Sequence, residues 1–164
     1  MRFSPVVLIL GLAASSIAVP VAGQRADDQL SPVSVQLQKK GEAAYTAGRF
    51  QEAGDALETA LVADPKNRGA FVSLARVAIK QKLYGKAIRL TNRAILIEPT
   101  DRAALAVQGE AMVEAGATAR AKETLAKLQK VCAAPCPEAG HLSSLIARGP
   151  TLAANKPSET VKKN

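Results

Sequence analysis

Residues 47–65 read AGRFQEAGDALETALVADP, and residues 81–99 read QKLYGKAIRLTNRAILIEP. Few letters match, yet Phe50 and Tyr84, Ala53 and Ala87, Ala60 and Ala94, and Pro65 and Pro99 each stand 34 residues apart. A fixed period of that length marks a chain built from stacked supersecondary units. Within each stretch the spacing is helical. Phe50, Ala53, Leu57, Ala60 and Leu61 step by three or four residues, as do Tyr84, Ala87, Thr91, Ala94 and Ile95, and each set makes one apolar stripe.

A second helical segment precedes each stripe. It carries Leu37, Lys40, Gly41 and Ala44 in the first copy, Phe71, Leu74, Ala75 and Ala78 in the second, and Leu105, Gln108, Gly109 and Met112 in the third. The third copy continues with Gly116, Thr118, Ala121, Leu128 and Ala133, a degenerate version such as terminal repeats often show. Each unit is therefore expected to be two helices joined by a tight turn. Ser31 before Pro32 reads as a helix start. Gly48 and Gly116 read as left-handed ends of the first helix of a pair, and Pro65 and Pro99 break the second helix.

Composition agrees with an all-α chain. Only 3% of residues are aromatic while 48% are hydrophobic, so the core has to be made from Ala, Leu, Val and Ile, which suits closely approaching helices. The length of 164 residues and a net charge of +8 fit one small basic domain. Residues 1–23, MRFSPVVLILGLAASSIAVPVAG, have the plan of a secretory signal peptide, with Arg2, an apolar run from Val6 and small residues at the end. Loss of Arg2 with that leader takes the net charge from +8 to +7. Residues 24–33 then read as a linker. Gln24 stands where a lipoprotein has its acylated cysteine, which argues against a lipid anchor.

The repeat resembles the tetratricopeptide repeat family, whose 34-residue helix-turn-helix unit has small residues at its eighth, twentieth and twenty-seventh places and a proline near its end. Gly41, Ala53, Ala60 and Pro65 fit in the first copy, Ala75, Ala87, Ala94 and Pro99 in the second, and Gly109 and Ala121 in the third. Lys40, Ala44, Leu128 and Ala133 depart from the pattern. The resemblance spans residues 34–131 and implies an all-α solenoid with repeats at 34–67, 68–101 and 102–135; a capping helix at 136–149 is expected to follow, and then a disordered basic tail at 150–164, which has two prolines and no apolar periodicity. The cap is expected from Leu142, Leu145 and Ile146 on one face and from Gly149 as a stop.

In this family the first helices of the pairs line a concave groove where partners bind. The resemblance places Gln38, Glu42 and Tyr45, then Val72, Arg76 and Ile79, then Ala106, Glu110 and Val113 on that surface. Tyr45, Ile79 and Val113 serve equally well as packing between repeats. The family's clamp for a C-terminal carboxylate is not matched, since Gln38, Glu42, Ser73, Ala103 and Val107 occupy its places.

Charge is uneven along the repeats. Residues 34–67 carry four basic and five acidic groups, net −1, while residues 68–101 carry seven and two, net +5. Lys82, Lys86, Arg89 and Arg93 form one basic stripe. It reads as a solvated face or as a dock for an acidic partner or an anionic envelope surface. Nucleic acid is not expected as a partner without a stacking platform.

VCAAPCPEAGH, residues 131–141, holds Cys132, Cys136 and the single His141. In an oxidising compartment the two thiols are expected to form a disulfide. A metal or redox site is the alternative, but zinc wants a fourth ligand and thiol redox chemistry an activated thiolate. No metal or cofactor is expected, and no nucleophile-base pair or phosphate loop can be named. The expectation is thus an exported, periplasmic or secreted, non-catalytic scaffold that holds a protein or peptide in its groove. The alternative is a small thiol-redox or metal-handling protein using Cys132, Cys136 and His141.

Overall fold

A computed structural model describes residues 29–132 and 135–151. The leader, most of the linker, Ala133 and nearly all of the tail lie outside them. Among these residues seven helices follow one another: α1 (Pro32–Thr46), α2 (Phe50–Ala63), α3 (Arg68–Lys80), α4 (Tyr84–Ile97), α5 (Arg102–Glu114), α6 (Thr118–Val131) and α7 (Pro137–Arg148). Among the described residues there is no strand, and none of the helices is long and apolar enough to cross a membrane.

The helices pack as pairs α1/α2, α3/α4 and α5/α6, and each pair stacks on the next. The small residues of the repeat sit at these crossings: Ala53, Ala60, Ala75, Ala87, Ala94 and Ala121 are all fully buried. Gly41 explains why nothing larger fits in the first pair, because a Cβ there would lie 2.5 Å from Leu57 Cγ. Gly109 holds the same place in the third copy but serves another contact. A Cβ there would run into the Leu142 side chain of α7, with Leu142 Cδ1 at 2.7 Å. The capping helix therefore seats on the glycine of the last repeat. Leu128, larger than the expected alanine, is also fully buried, in one apolar cluster with Leu142 and Leu145.

The three turns inside the pairs are built alike. Gly48, Lys82 and Gly116 have φ of 76°, 61° and 78°. Each amide at these positions bonds back into the preceding helix: Gly48 to Tyr45 O (3.0 Å), Lys82 to Ile79 O (2.9 Å) and Gly116 to Val113 O (2.9 Å). The next amide reaches one residue deeper in every case, Arg49 to Ala44 O, Leu83 to Ala78 O and Ala117 to Met112 O. This double closure satisfies the last carbonyls and requires a left-handed residue. The middle copy meets the requirement with lysine, so the turn forms there against the side chain's preference.

The junctions between pairs repeat as well. Asp64 and Glu98 end α2 and α4 in extended conformation ahead of Pro65 and Pro99, as the proline ring requires of its predecessor. Their carboxylates accept from the amides two residues on, Lys66 to Asp64 Oδ1 (2.9 Å) and Thr100 to Glu98 Oε1 (3.1 Å). Hydrogen bonds from the Thr100 hydroxyl and amide hold the Glu98 carboxyl below the usual glutamate range.

Asn67 and Asp101 then cap α3 and α5 by accepting from Ala70 N (3.0 Å) and Ala104 N (2.9 Å). Each cap is tied to the first turn of the preceding first helix. Asn67 donates to Ser34 Oγ (2.8 Å), whose hydroxyl donates to Ala60 O (2.7 Å). One repeat later the same two places hold Arg68 and Asp101, which form an ion pair. A neutral bridge at the first junction becomes an ionic one at the second.

Candidate functional site

The first helices α1, α3 and α5 lie side by side, and α7 continues the row beyond α5. Their shared face carries a concavity of about 460 Å³, lined by Tyr45 of α1, Arg76 of α3, Ala106, Val107 and Glu110 of α5, and Pro137, Glu138 and His141 of α7. Arg76 stands out chemically. From Ala70 to Ile79 every other residue of α3 is buried, and Arg76 alone is exposed. Its guanidinium forms no ion pair among the described residues, so its donors face the groove unspent. Glu110 and Glu138 give the same wall negative charge.

Neighbouring side chains are fixed in place. The Tyr45 ring is braced by Phe50, centroids 5.6 Å apart and tilted by 59°. Glu42 Oε1 accepts from Gln38 Nε2 (2.8 Å) and from Ser73 Oγ (2.7 Å), which ties α1 to α3. A second recess of about 260 Å³ between Glu42, Tyr45, Thr46, Ser73 and Arg76 opens beside the first. A third, about 270 Å³, includes Ile79, Glu110, Glu114, Arg148 and Thr151. There the Thr151 amide donates to the buried Glu114 carboxylate (3.1 Å), so the chain leaves α7 at the groove's edge.

The structure thus brings together Tyr45, Arg76, Ala106 and Glu110 around one concavity, with Glu42 and Gln38 alongside and Ile79 at the far end. Val72 and Val113 are corrected: both are buried, Val113 completely, and they pack in the core between repeats rather than line the groove. Pro137, Glu138 and His141 were not expected on this surface. Their signal was the start of α7 at Pro137, 35 residues after Arg102 starts α5, close to one more repeat period.

Cys132 and Cys136 form a disulfide with Cα atoms 5.7 Å apart, joining the end of α6 to the start of α7. Glu138 lies beside them, and ligand atoms of these three side chains fall within 4.8 Å of one another. His141 does not join that set; its ring faces the groove. The cysteines and the histidine therefore do not form one donor cluster.

The basic stripe also takes a definite shape. Lys86 pairs with Glu58 of α2 (2.8 Å), Lys82 sits in the left-handed turn, and Arg89 and Arg93 are exposed on α4. Arg120, Lys122, Lys127 and Lys130 of α6 extend the basic surface, also exposed.

A family model described as tetratricopeptide repeat matches residues 44–111. No curated protein matches the chain. Among solved structures, the TPR2B domain of yeast Sti1 in its pHsp70 complex is 20% identical with a TM-score of 0.67, covering 72% of this chain and 98% of that one. The Yersinia enterocolitica type III secretion chaperone SycD in complex with a peptide of the translocator YopD is 18% identical, TM-score 0.66, covering 72% and 92%. The second TPR domain of human RPAP3 in complex with an HSP70 peptide is 20% identical, TM-score 0.64, covering 70% and 94%. The 34-residue sequence period, the paired helices with small residues at their crossings and the family match agree: residues 44–111 match the tetratricopeptide repeat model, and the stack has the fold of the solved tetratricopeptide domains.

Proposed function

We propose that the protein is a non-catalytic scaffold that holds a segment of a partner protein in its concave groove. The observation that carries this is Arg76: a cation exposed within the otherwise buried run Ala70–Ile79, without an ion pair among the described residues, on the wall of a concavity built by α1, α3, α5 and α7. An unpaired guanidinium on such a wall is suited to a carboxylate or backbone carbonyls of a bound segment. Glu110 and Glu138 on the same wall favour basic groups elsewhere along it. The solved tetratricopeptide structures with bound HSP70 and YopD peptides support the reading by fold.

The reading extends to place. The leader-like residues 1–23 and a cysteine pair joined as a disulfide fit an exported chain working in the periplasm or outside the cell. A photo-crosslinking amino acid at Ala106, in the host, tests the function directly. It should capture a protein partner, and Arg76→Glu should abolish the adduct while leaving the helical circular dichroism unchanged. Equal capture from Arg93, on the opposite side of the stack, would overturn the assignment to this groove.

A further inference from the structure

The opposite face of the stack carries a second groove, between α4 and α6, with α5 as its floor. It has a volume of about 430 Å³. Ile95, Pro99, Leu105 and Val131 make it apolar, and Lys127 and Lys130 stand along the α6 wall. Neither lysine forms an ion pair among the described residues, and no carboxylate lines the groove. On the α4 wall Gln108 Nε2 donates to Asn92 Oδ1 (2.6 Å), leaving the Asn92 amide protons to face outward.

The repeat explains why this groove is open. One period earlier Leu105 corresponds to Phe71, Gln108 to Leu74 and Lys130 to Leu96. There the larger Phe71 is buried in the core; here the smaller Leu105, likewise buried, forms the floor, and lysines replace the arginine and leucine on its rim. Apolar floor, cationic wall and a depth that accepts a side chain occur together at one place on the stack.

We infer that this convex groove is a second docking site, for an acidic segment of a protein partner that inserts an apolar side chain between α4 and α6 and sets its carboxylates against Lys127 and Lys130. Charge complementarity selects the acidic flanks. The concavity favours a peptide over a bilayer, because a flat anionic surface would leave the floor at Leu105 unfilled. The site is independent of Arg76 and of the concave groove.

Selection of a phage-displayed random twelve-residue library on the purified chain tests it, followed by fluorescence anisotropy of the enriched peptides. They should carry Asp or Glu on both sides of Leu, Ile or Phe. Lys127→Glu combined with Lys130→Glu should weaken their binding about tenfold or more, as expected for reversing charges that face carboxylates. Leu105→Phe, which copies the preceding repeat, should weaken it similarly; if that variant unfolds, the lysine pair alone decides. Arg76→Glu should leave the affinity unchanged. Enriched peptides without acidic bias, or binding indifferent to the lysine pair, would overturn the proposal. So would capture of the chain by phosphatidylglycerol vesicles through Lys127 and Lys130 with no peptide retained, which would assign the surface to a membrane.

Discussion

Lys82 occupies the one turn of the stack where a side chain has to adopt the left-handed conformation, φ 61°. Gly48 and Gly116 do so without a Cβ to crowd. An L-residue in that region costs about 1–2 kcal/mol, and glycine returns part of the gain as unfolded-state entropy. Lys82→Gly should therefore raise the unfolding free energy by about 1 kcal/mol in chemical denaturation, with no change in helix content. Gly48 and Gly116 were legible in the sequence as helix ends, whereas Lys82 was read only as a charge. The period had already placed it at the turn, 34 residues from either glycine, but lysine carries no turn signal of its own. The buried bridges are a similar case. Ser34, Asn67, Arg68 and Asp101 are polar residues whose partners lie about 33 positions away, and helical periodicity describes neighbours only.

At the scale of the element, glycines separate into those that packing demands and those it does not. Gly41 lies against Leu57 with no room for a methyl group, while nothing lies within 4 Å of a Cβ at Gly140 on α7. Alanine is the better helix former by about 1 kcal/mol, yet overpacking costs about 1–3 kcal/mol. Gly41→Ala should thus lower the thermal midpoint and Gly140→Ala should raise it, a difference in sign that helix propensity alone does not produce. If both raised it, the crossing of α1 and α2 would be wrong. The stripes of α2 and α4 were readable because three- and four-residue spacing states which face is buried. Which helix meets which was less readable: Gly109 fits the family pattern, but its partner Leu142 belongs to the cap rather than to α6.

Taken whole, the molecule is a stack in which each repeat touches only its neighbours, so stability is local along its length. The Cys132–Cys136 bridge acts at one end. A loop so short contributes about 2 kcal/mol by chain entropy. Reduction, or Cys132→Ser with Cys136→Ser, should speed hydrogen exchange in α7 and the last turn of α6 and leave α1 and α2 as protected as before. Because α7 supplies Pro137, Glu138 and His141 to the concave groove, ligand affinity there should fall with it. The groove itself was half legible. The repeat register located Tyr45, Arg76, Ala106 and Glu110, but alternation between groove and core at Val72 and Val113 depends on the twist of the stack, which one chain's letters do not encode.

The uneven charge has a kinetic meaning. With an acidic first repeat and basic second and third ones, positive charge is concentrated in the part of the stack that carries the α4–α6 groove. An acidic segment of the kind proposed for that groove should be drawn toward it before contact. Encounter is then quick in dilute buffer and slows as salt screens the field over roughly 10 Å, while the lifetime of the complex, set by short-range contacts, is left largely alone.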